Sequence, residues 1–247
     1  MKKGKIITTA IIKGGTGKTT TAAAIAQAAV KDKKKVLAVD LDPQANLSYC
    51  LNADPEAPGS WQALNGAEPG EVIQETTQGI YCIAGSANLA TEKTTAASAL
   101  RLKNFLDPIK NNYDYIVIDT PPQLSELTYN ALYTSDLVII PLEADNYSLQ
   151  GFYNLLSLSA VLHEKSDNPP KYGAVITRYD NRPRINKFYK EEIENTGDQY
   201  GAPLLATIRK GVAVQEAQAF KISLFDDNPN SKPALDYWEL YKKIKKM

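Results

Sequence analysis

A glycine-rich loop, KGGTGKTT at residues 13–20, joins a run of β-branched residues to a run of alanines. The run before it, KIITTAII, predicts a buried strand, and the alanine-rich residues 18–30 predict a helix that packs closely on a sheet. Glycines allow the loop to turn backbone N–H groups toward an anion, and the helix directs its partial positive charge at the same point. The sequence therefore predicts a phosphate-binding strand–loop–helix unit rather than a plain turn.

The loop departs from the usual phosphate-binding pattern in one respect. The pattern G-x-x-x-x-G-K-[ST] requires a glycine six positions before the lysine, but Ile12 occupies that position and a second lysine, Lys13, follows it. We expect Lys18 to reach the β- and γ-phosphates, Thr19 to offer its hydroxyl to Mg²⁺, and Thr20 to contact an α-phosphate oxygen. The backbone that would surround the phosphates belongs to Gly14, Gly15, Thr16 and Gly17.

Strand-like and helix-like segments alternate along the rest of the chain. Strands are predicted in KKVLAVD, GIYCIAG, YDYIVIDT, DLVIIPLE and KYGAVITR, and helices over residues 147–164, 184–195 and 235–246. Residues 51–78 contain several Pro and Gly and predict short helices and loops over one edge of the sheet. This alternation is typical of a doubly wound α/β fold, a mostly parallel sheet flanked by helices, and we expect residues 1–247 to form one domain.

Three aspartates follow predicted strands at the carboxyl edge of the sheet, where such folds bind ligands. Asp119 ends YIVID and is the expected acid for Mg²⁺, directly or through a water, with a helix cap as the alternative. Asp40 and Asp42 lie on one side of an extended segment, so one is expected to structure the loop and the other to orient the attacking water. We assign the water to Asp42, because it lies further past the strand, and count it with Thr19 and Asp119 as a candidate metal ligand. The reverse assignment of Asp40 and Asp42 stays open.

Composition limits the kinds of partner, metal site and catalytic group that the chain can have. The formal net charge is zero, so any binding to nucleic acid or to a membrane surface requires a local patch. Cys50 and Cys82 do not have the spacing of a metal site, and we interpret them as buried, reduced thiols of a cytosolic protein. The single histidine, His163, has no evident catalytic partner and is expected at the surface or its boundary. No apolar run is long enough to cross a bilayer.

Three motifs together, KGGTGKTT, VDLDPQANLS and IVIDTPP, resemble the deviant Walker-type ATPases of the ParA/MinD superfamily. The loop of that family reads K-G-G-x-G-K-[ST], and its extra lysine is the family signature. The resemblance implies ATP or ADP with Mg²⁺ as cofactors, and a catalytic set comprising Lys13, Lys18, Asp42 and Asp119. It also implies that Lys13 crosses a two-fold interface to the phosphates of the second copy's ATP, so that ATP holds a homodimer together. The alternative is a solvated lysine at the loop entrance.

Two later segments resemble small, Soj-like members of the family. AVITRYDNRPRINK resembles a segment that reads T-x-Y-D-x-R, and TIRKGVAVQEAQAF resembles I-P-R-N-V-R-L-S-E-A. In the family both lie around the adenine, which implies base contacts from Thr177, Arg178, Ile208 and Arg209. The family usually has Gly at the position of Ala45, a change that we expect to have little effect.

The resemblance also implies contacts with non-specific DNA. Basic residues on the C-terminal face make these contacts in Soj-like proteins, and one such residue is replaced here by Ala213. Phe188 and Tyr189, which lie among the basic residues, are expected to face the core. The remaining basic candidates either form a groove for phosphates in a dimer or are a solvated helix face. They are Arg182, Arg184, Lys187, Lys190, Arg209, Lys210 and Lys221.

By resemblance, the function is ATP-dependent partitioning of plasmid, mobile-element or chromosomal DNA by a cytoplasmic, nucleoid-associated ATPase. Its intrinsic hydrolysis would be weak and stimulated by a ParB-like centromere-binding protein. The short stretch before the loop argues against an N-terminal helix-turn-helix domain for sequence-specific repression. Metabolic relatives such as nitrogenase reductase need paired cysteines for an iron–sulfur cluster, which Cys50 and Cys82 do not supply.

A MinD-like ATPase that acts at a membrane surface, or one that positions protein cargo, is the alternative. The tail ALDYWELYKKIKKM places Leu235, Trp238, Tyr241 and Ile244 at helical spacing beside several lysines. Asp236 and Glu239 in the same segment argue against membrane affinity. We therefore expect the apolar stripe to dock on the body of the protein.

Overall fold

The computed structural model describes residues 4–91, 100–164 and 168–247. Within these ranges, the strands form one eight-stranded sheet in the order β3-β4-β2-β5-β1-β6-β7-β8. The strands are β1 (Lys5–Thr9), β2 (Val36–Asp40), β3 (Ile73–Glu75), β4 (Tyr81–Ile83), β5 (Tyr115–Asp119), β6 (Leu137–Leu142), β7 (Lys171–Tyr179) and β8 (Leu204–Arg209). Every pairing is parallel except that of β3 with β4. The predicted doubly wound fold is confirmed.

Eleven α-helices connect the strands within the described residues. They are α1 (Lys18–Lys31), α2 (Asn46–Leu51), α3 (Ser60–Leu64), α4 (Pro69–Val72), α5 (Arg101–Leu106), α6 (Glu126–Thr134), α7 (Asn146–Leu162), α8 (Arg184–Gln199), α9 (Ala213–Ala219), α10 (Leu224–Asp227) and α11 (Lys232–Lys246). None of the described helices has the length and apolar character needed to cross a membrane.

The central strands are buried on both faces. Along β5, Ile116 and Ile118 pack with α3, α5 and α6, whereas Val117 packs with α1 and α11 on the opposite face. The run of alanines in α1 is buried almost throughout, and the small side chains allow this helix to lie close to the sheet. Burial on both faces explains why the central strands are almost continuously apolar in the sequence.

The strand order places three functional segments side by side. β5 lies between β1 and β2, with Thr9 paired to Asp119 and Asp40 paired to Asp119. The carboxyl ends of β1, β5 and β2 are followed respectively by the glycine-rich loop, the segment TPPQ and the segment LDPQ. This edge of the sheet, which we call the carboxyl edge, therefore brings together motifs about 20 and 80 residues apart along the chain.

The predicted elements differ from the structure at several places. β3 and β8 were not predicted, because β3 has only three residues and the sequence of β8 lies in a segment interpreted by its resemblance. Helices α2, α5, α6, α9 and α10 were also not predicted, whereas α1, α7, α8 and α11 lie where helices were expected. The interval 51–78 contains α3 and α4 as expected, but it also contributes β3 to the sheet.

The C-terminal helix α11 packs on the body of the protein. Tyr237, Leu240, Tyr241 and Ile244 are buried in the same core as α1, whereas Leu235 is 46% exposed. The buried face therefore runs from Pro233 and Ala234 through Tyr237 to Ile244 and does not include Leu235, which the spacing predicted as part of it. The sequence predicted that this tail docks on the body of the protein, and the buried side chains of α11 agree with that prediction.

Candidate active site

The glycine-rich loop wraps around an open cleft of about 500 Å³ at the carboxyl edge. Gly15 and Gly17 have φ values of 76° and 90°, in the left-handed region that favours glycine, and Gly17 immediately precedes α1. Thr177 braces the loop by donating its hydroxyl to the carbonyl oxygen of Thr16 at 2.7 Å. The loop therefore presents backbone N–H groups and the N-terminus of a fourteen-residue helix to the cleft.

Lys18 occupies the interior of the loop. It is 6% exposed, and its ammonium donates to the carbonyl oxygen of Lys13 at 2.8 Å, which closes the loop on itself. Burial lowers the pKa of Lys18, while the charges of Asp119 and Asp42 act in the opposite direction. A charge in this position is suited to phosphate oxygens that enter the cleft, because they would replace a neutral carbonyl as its partner.

Asp119 is held at the end of β5 by two threonines. Its carboxylate accepts from the hydroxyl of Thr19 at 2.6 Å and from the hydroxyl of Thr9 at 3.2 Å. Thr19 and Asp119, both predicted as metal-side residues, therefore contact each other. The carboxylate does not cap a helix backbone in these contacts, so the alternative role of Asp119 as a helix cap is not the arrangement observed.

Asp40 and Asp42 have different environments although they are two residues apart. Asp40 is fully buried and accepts from the backbone N–H of Asp42 and from both the N–H and the hydroxyl of Ser48, at 3.1, 2.8 and 2.7 Å. Asp42 lines the cleft, and its carboxylate accepts from the N–H of Gln44 at 2.9 Å. The geometry supports a structural role for Asp40 and leaves Asp42 as the residue that faces a ligand.

Gly85 allows this aspartate loop to approach β4. A Cβ on Gly85 would lie 2.7 Å from the carbonyl oxygen of Asp42 and 2.9 Å from the carboxyl carbon of Asp40. Its N–H donates to the hydroxyl of Ser48 at 2.9 Å. Sequence reasoning missed Gly85, and its position directly after a strand in IAGS is the signal that was available.

Asp40, Asp42 and Asp119 lie close together, so it is unfavourable for all three carboxyl groups to be ionised at once. Burial is the main cause that raises the pKa of Asp119 to about 8, and the charges of Asp40 and Asp42 add to it. Burial also raises the pKa of Asp40 to about 6, although its hydrogen bonds oppose the shift. A cation placed between Asp119 and Asp42 would relieve this repulsion.

The donor set fits a magnesium ion that also binds phosphate. Thr19, Asp42 and Asp119 offer hard oxygen ligands, which Mg²⁺ prefers. The described residues contain no group of three acidic, His or Cys side chains able to hold a metal alone. The remaining ligands would have to be waters and phosphate oxygens, as is usual for Mg²⁺ with nucleotides.

Lys13 points away from the loop interior. Its ammonium lies 2.7 Å from the carboxylate of Asp145, 3.0 Å from the hydroxyl of Ser148 and 3.7 Å from the carboxylate of Glu143. Asp145 also caps α7 by accepting from the N–H of Ser148 at 2.8 Å. Lys13 is therefore neither fully solvated nor directed at the chain's own cleft, but held on the first turn of α7.

Arg178 lies beside Lys13 in the same network. Its guanidinium donates to the carbonyl oxygen of Gly15 and forms an ion pair with Glu143 at 2.7 Å. The backbone of Arg178 is left-handed, with φ 50°, which is uncommon for a residue with a long side chain. Arg178 was predicted at the adenine, but its observed contacts are with the phosphate loop.

Residues of β8, α9 and α11 also line the cleft. Ile208 and Arg209 are among them, and their predicted contact with the adenine stays a prediction; Val212, Val214 and Tyr237 line the cleft without a sequence signal that marked them. Gln218 lines the same cleft and donates to the hydroxyl of Thr20 at 2.9 Å. Thr177 also lines the cleft, but its hydroxyl donates to the carbonyl oxygens of Thr16 and Leu142.

The basic candidates for DNA contact lie mainly beyond the carboxyl ends of β7 and β8 and at the start of α8. Arg182 pairs with Asp180 at 2.5 Å and Arg209 pairs with Asp236 at 2.7 Å, so part of the positive charge is neutralised. Phe188 is 52% exposed, which contradicts the expectation that it faces the core, because the first turns of α8 project from the body. Tyr189 is half-buried against the ring of Phe188.

Cys50 and Cys82 are free thiols, and both are buried. Burial raises the pKa of Cys50 to about 11 and that of Cys82 still further, so neither is a ready nucleophile. His163 is half-buried at the end of α7, with its ring against Tyr133. None of these side chains lines the cleft.

Comparison with known proteins decides the family. A model of the AAA domain family matches residues 4–169. The sporulation initiation inhibitor protein Soj of Bacillus subtilis (strain 168) is 31% identical over 98% of this chain and 98% of its own length. The chain belongs to the ParA/MinD superfamily of ATPases.

Solved structures of this superfamily share the fold over nearly the whole chain. Cobyrinic acid a,c-diamide synthase from Mycobacterium smegmatis, with a bound ATP analogue and magnesium, has a TM-score of 0.83 at 28% identity, covering 98% of this chain and 95% of that chain. The septum site-determining protein MinD of Pyrococcus horikoshii OT3, complexed with Mg-ADP, has a TM-score of 0.80 at 25% identity, covering 98% and 96%. Membership in the superfamily therefore includes relatives with different roles.

Proposed function

We propose that the protein is an ATPase that partitions DNA, built as one domain over residues 1–247. Its nucleotide would be ATP or ADP with Mg²⁺, which the cleft volume, the loop and the hard oxygen donors all accommodate. The similarity to the chromosome-partitioning ATPase Soj of Thermus thermophilus, which is 31% identical over 94% of this chain, supports the partitioning role. One observation carries the proposal: Lys18 is buried inside its own loop, whereas Lys13 is held outside that loop.

The chain's own residues would divide the work of hydrolysis. Lys18 and the backbone of residues 14–17 would bind and orient the phosphates, and Thr19 and Asp119 would hold Mg²⁺, which neutralises developing charge when bound. Asp42 would orient the attacking water, because it faces the cleft while Asp40 is engaged by Ser48. The apolar residues near Ile208 would contact the base.

Lys13 would act on a second copy. In the single chain its ammonium is held by Asp145 and Ser148 at the outside of the loop, so the neighbour's triphosphate has to compete with one carboxylate and one hydroxyl. A triphosphate with one Mg²⁺ keeps about two negative charges, and it attracts an ammonium more strongly than a single carboxylate does. ATP would thus hold a homodimer together.

Slow intrinsic hydrolysis follows from the same network. The two cations nearest the loop exterior, Lys13 and Arg178, are both paired with carboxylates from the segment between β6 and α7. A ParB-like partner would speed hydrolysis by completing the charge around the phosphates. DNA would bind non-specifically through basic residues of the C-terminal half, so the protein would be cytoplasmic and associated with the nucleoid.

The test is co-sedimentation of the purified protein with plain duplex DNA and, separately, with anionic liposomes. Each assay is run with ATP and Mg²⁺, with ADP and without nucleotide, for the intact protein and for Lys13→Ala. DNA binding that requires ATP, is lost in Lys13→Ala and falls steeply with salt supports the proposal. Nucleotide-dependent binding to liposomes would instead support a MinD-like role, and binding to neither would overturn DNA partitioning in favour of protein cargo.

A further inference from the structure

Lysines are concentrated at the amino edge of the sheet, the edge opposite the cleft. Three segments contribute them: the turn from α1 to β2, the start of β7 and the last turn of α11. We call these residues the amino-edge lysines. They are Lys31, Lys33, Lys34, Lys35, Lys171, Lys242, Lys243, Lys245 and Lys246.

Hydrogen bonds show that these segments are adjacent although they are far apart in sequence. Lys245 forms an ion pair with Asp32 at 2.7 Å, and Tyr241 donates to the same carboxylate at 2.8 Å, which joins the end of α11 to the end of α1. Lys171 donates to a backbone oxygen of Met247 at 2.6 Å, which joins the start of β7 to the end of α11. The lysines therefore share one face.

The positive charge of this face is only partly neutralised. Lys242 and Lys245 pair with the carboxylates of Glu239 and Asp32, each at 2.7 Å. Lys31 and Lys243 instead donate to backbone carbonyl oxygens, which orient an ammonium without cancelling its charge.

Two further acids near this face serve the backbone. The carboxylate of Asp114 accepts from the backbone N–H of Lys35 at 3.0 Å, and that of Asp136 accepts from the N–H of Ile6 at 2.8 Å. These contacts stabilise the starts of strands, so the two carboxylates are directed at N–H groups rather than at the ammonium groups of the lysines.

Crowding of like charges is visible at Lys5, the first residue of β1. Burial lowers the pKa of Lys5, and the nearby charge of Lys171 lowers it further, while the charge of Asp136 acts in the opposite direction. Its ammonium donates to the carbonyl oxygen of Ile244 at 2.9 Å. A chain with no net charge thus places several cations together on the face farthest from its ligand cleft.

From this arrangement we infer that the amino-edge lysines bind the phosphate backbone of duplex DNA, as a second contact surface for the proposed partitioning function. Lysine ammoniums act as point charges, which suits sequence-independent contact with phosphates. None of the large, exposed apolar side chains of the described residues belongs to the three lysine segments, so this face lacks the anchors that a membrane or protein interface would use.

The inference rests on the proposed function and makes a separate prediction about nucleotide. The lysine segments do not line the cleft, so their contribution to DNA binding should be present with ATP, with ADP and without nucleotide. A dimer would add the two contributions, so ATP would increase the affinity without creating the surface.

The test compares three variants of the full chain by fluorescence anisotropy with labelled duplex DNA over a series of salt concentrations. The first is Lys33→Gln/Lys34→Gln/Lys246→Gln, which removes three charges from exposed or half-buried side chains of the amino edge. The second changes the same positions to Arg and keeps the charge. The third is Arg184→Gln/Lys187→Gln/Lys190→Gln, on α8. Circular dichroism checks that each variant is folded.

We expect the Gln variant at the amino edge to bind DNA about tenfold more weakly at low salt in every nucleotide state, with the Arg variant unchanged. The slope of log affinity against log salt should decrease by about 0.9 for each phosphate that the variant no longer neutralises. Unchanged affinity and slope in the Gln variant, while the α8 variant is impaired, would overturn the inference and leave partitioning intact. An intact protein that binds no DNA would overturn both. A Gln variant that binds DNA normally but fails to bind anionic vesicles would also overturn the inference, and would assign the face to lipid.

Discussion

The carboxyl and amino edges of the sheet differ in how fully their positive charge is paired with carboxylates. At the carboxyl edge, Lys13 and Arg178 each form an ion pair, and Lys18 is enclosed by its own loop. At the amino edge, Lys242 and Lys245 form ion pairs, but Lys31 and Lys243 donate to backbone carbonyl oxygens, and most of the lysines are exposed. Matched cations suit a small ligand of defined geometry, whereas unmatched cations suit a long anion of any sequence.

Removal of Lys18 is the change that should affect the carboxyl edge most. Lys18→Ala deletes the charge inside the phosphate loop, so hydrolysis is expected to fall on the order of 10²- to 10³-fold. The measurement is steady-state phosphate release at saturating ATP. Lys103→Ala, which removes a lysine on α5, is the control and should retain full activity. A Lys18→Ala protein with normal turnover would show that the loop does not bind the reacting phosphates.

Asp40 and Asp42 should respond differently to the same substitution. Asp40→Ala leaves the N–H groups of Asp42 and Ser48 without their buried acceptor, so the free energy of unfolding should decrease by about 3 kcal/mol. Asp42→Ala removes one acceptor, for the N–H of Gln44 beside the cleft, and should decrease stability by no more than about 1 kcal/mol. Urea unfolding of both variants checks the contrast. Equal losses would indicate that both aspartates are structural.

Asp42→Ala should instead affect turnover. Loss of the residue that orients water is expected to reduce hydrolysis about 10²-fold, while ATP binding is retained. Single-turnover hydrolysis and equilibrium binding of a fluorescent ATP analogue separate the two effects. If Asp40→Ala protein that is still folded loses turnover while Asp42→Ala does not, the roles of the two aspartates are reversed.

The fold could be predicted largely from the sequence, because its central strands are nearly continuous apolar runs that end at polar residues or at the glycine-rich loop. β1, β2, β5, β6 and β7 all lie where those runs predicted them. β8 was not recognised, since LLATIR is only partly buried and is therefore not a continuous apolar run. The exposed position of Phe188 could not be predicted, because an aromatic residue within a helical segment is equally typical of a side chain that faces the core.

The site was predictable wherever its residues are consecutive in the chain or follow adjacent strands. Lys18, Thr19 and Asp119 meet because β1 and β5 are neighbours. The contacts of Lys13 with Asp145 and of Arg178 with Gly15 join positions more than 130 residues apart, and neither has a local sequence signal. DNYS does have the pattern of a helix cap, which Asp145 and Ser148 form.

Ala45 tests how the carboxyl edge tolerates strain. The family usually has Gly at this position, and Ala45 adopts φ 52° and ψ 32°, in the left-handed region. Ala45→Gly should increase the free energy of unfolding by about 1 kcal/mol, because it removes the contact between Cβ and the following carbonyl oxygen. Ala28→Gly, in the interior of α1, should decrease it by about 1 kcal/mol. Thermal unfolding of the two variants should therefore shift in opposite directions.

Release of Lys13 should have the smallest effect. Asp145→Asn removes the ion pair that holds Lys13 on α7, and since exposed ion pairs contribute about 0.2–1 kcal/mol, ATP-dependent dimerisation should strengthen about two- to fivefold. Asp180→Asn removes a comparable ion pair to Arg182 and should not change dimerisation. Sedimentation velocity at several protein concentrations measures both. Weaker dimerisation in Asp145→Asn would indicate that Asp145 contacts the second copy directly.

The most direct test of the central claim is the ATPase activity of a mixture of Lys13→Ala and Asp42→Ala proteins. If Lys13 serves the nucleotide of the second copy, each protein alone is inactive, but a mixed dimer has one complete site. That site combines Asp42 of the Lys13→Ala chain with Lys13 of the Asp42→Ala chain. The account predicts hydrolysis in the mixture well above the sum of the separate proteins. Activity no greater than that sum would contradict the account, because it would mean that Lys13 acts only within its own chain.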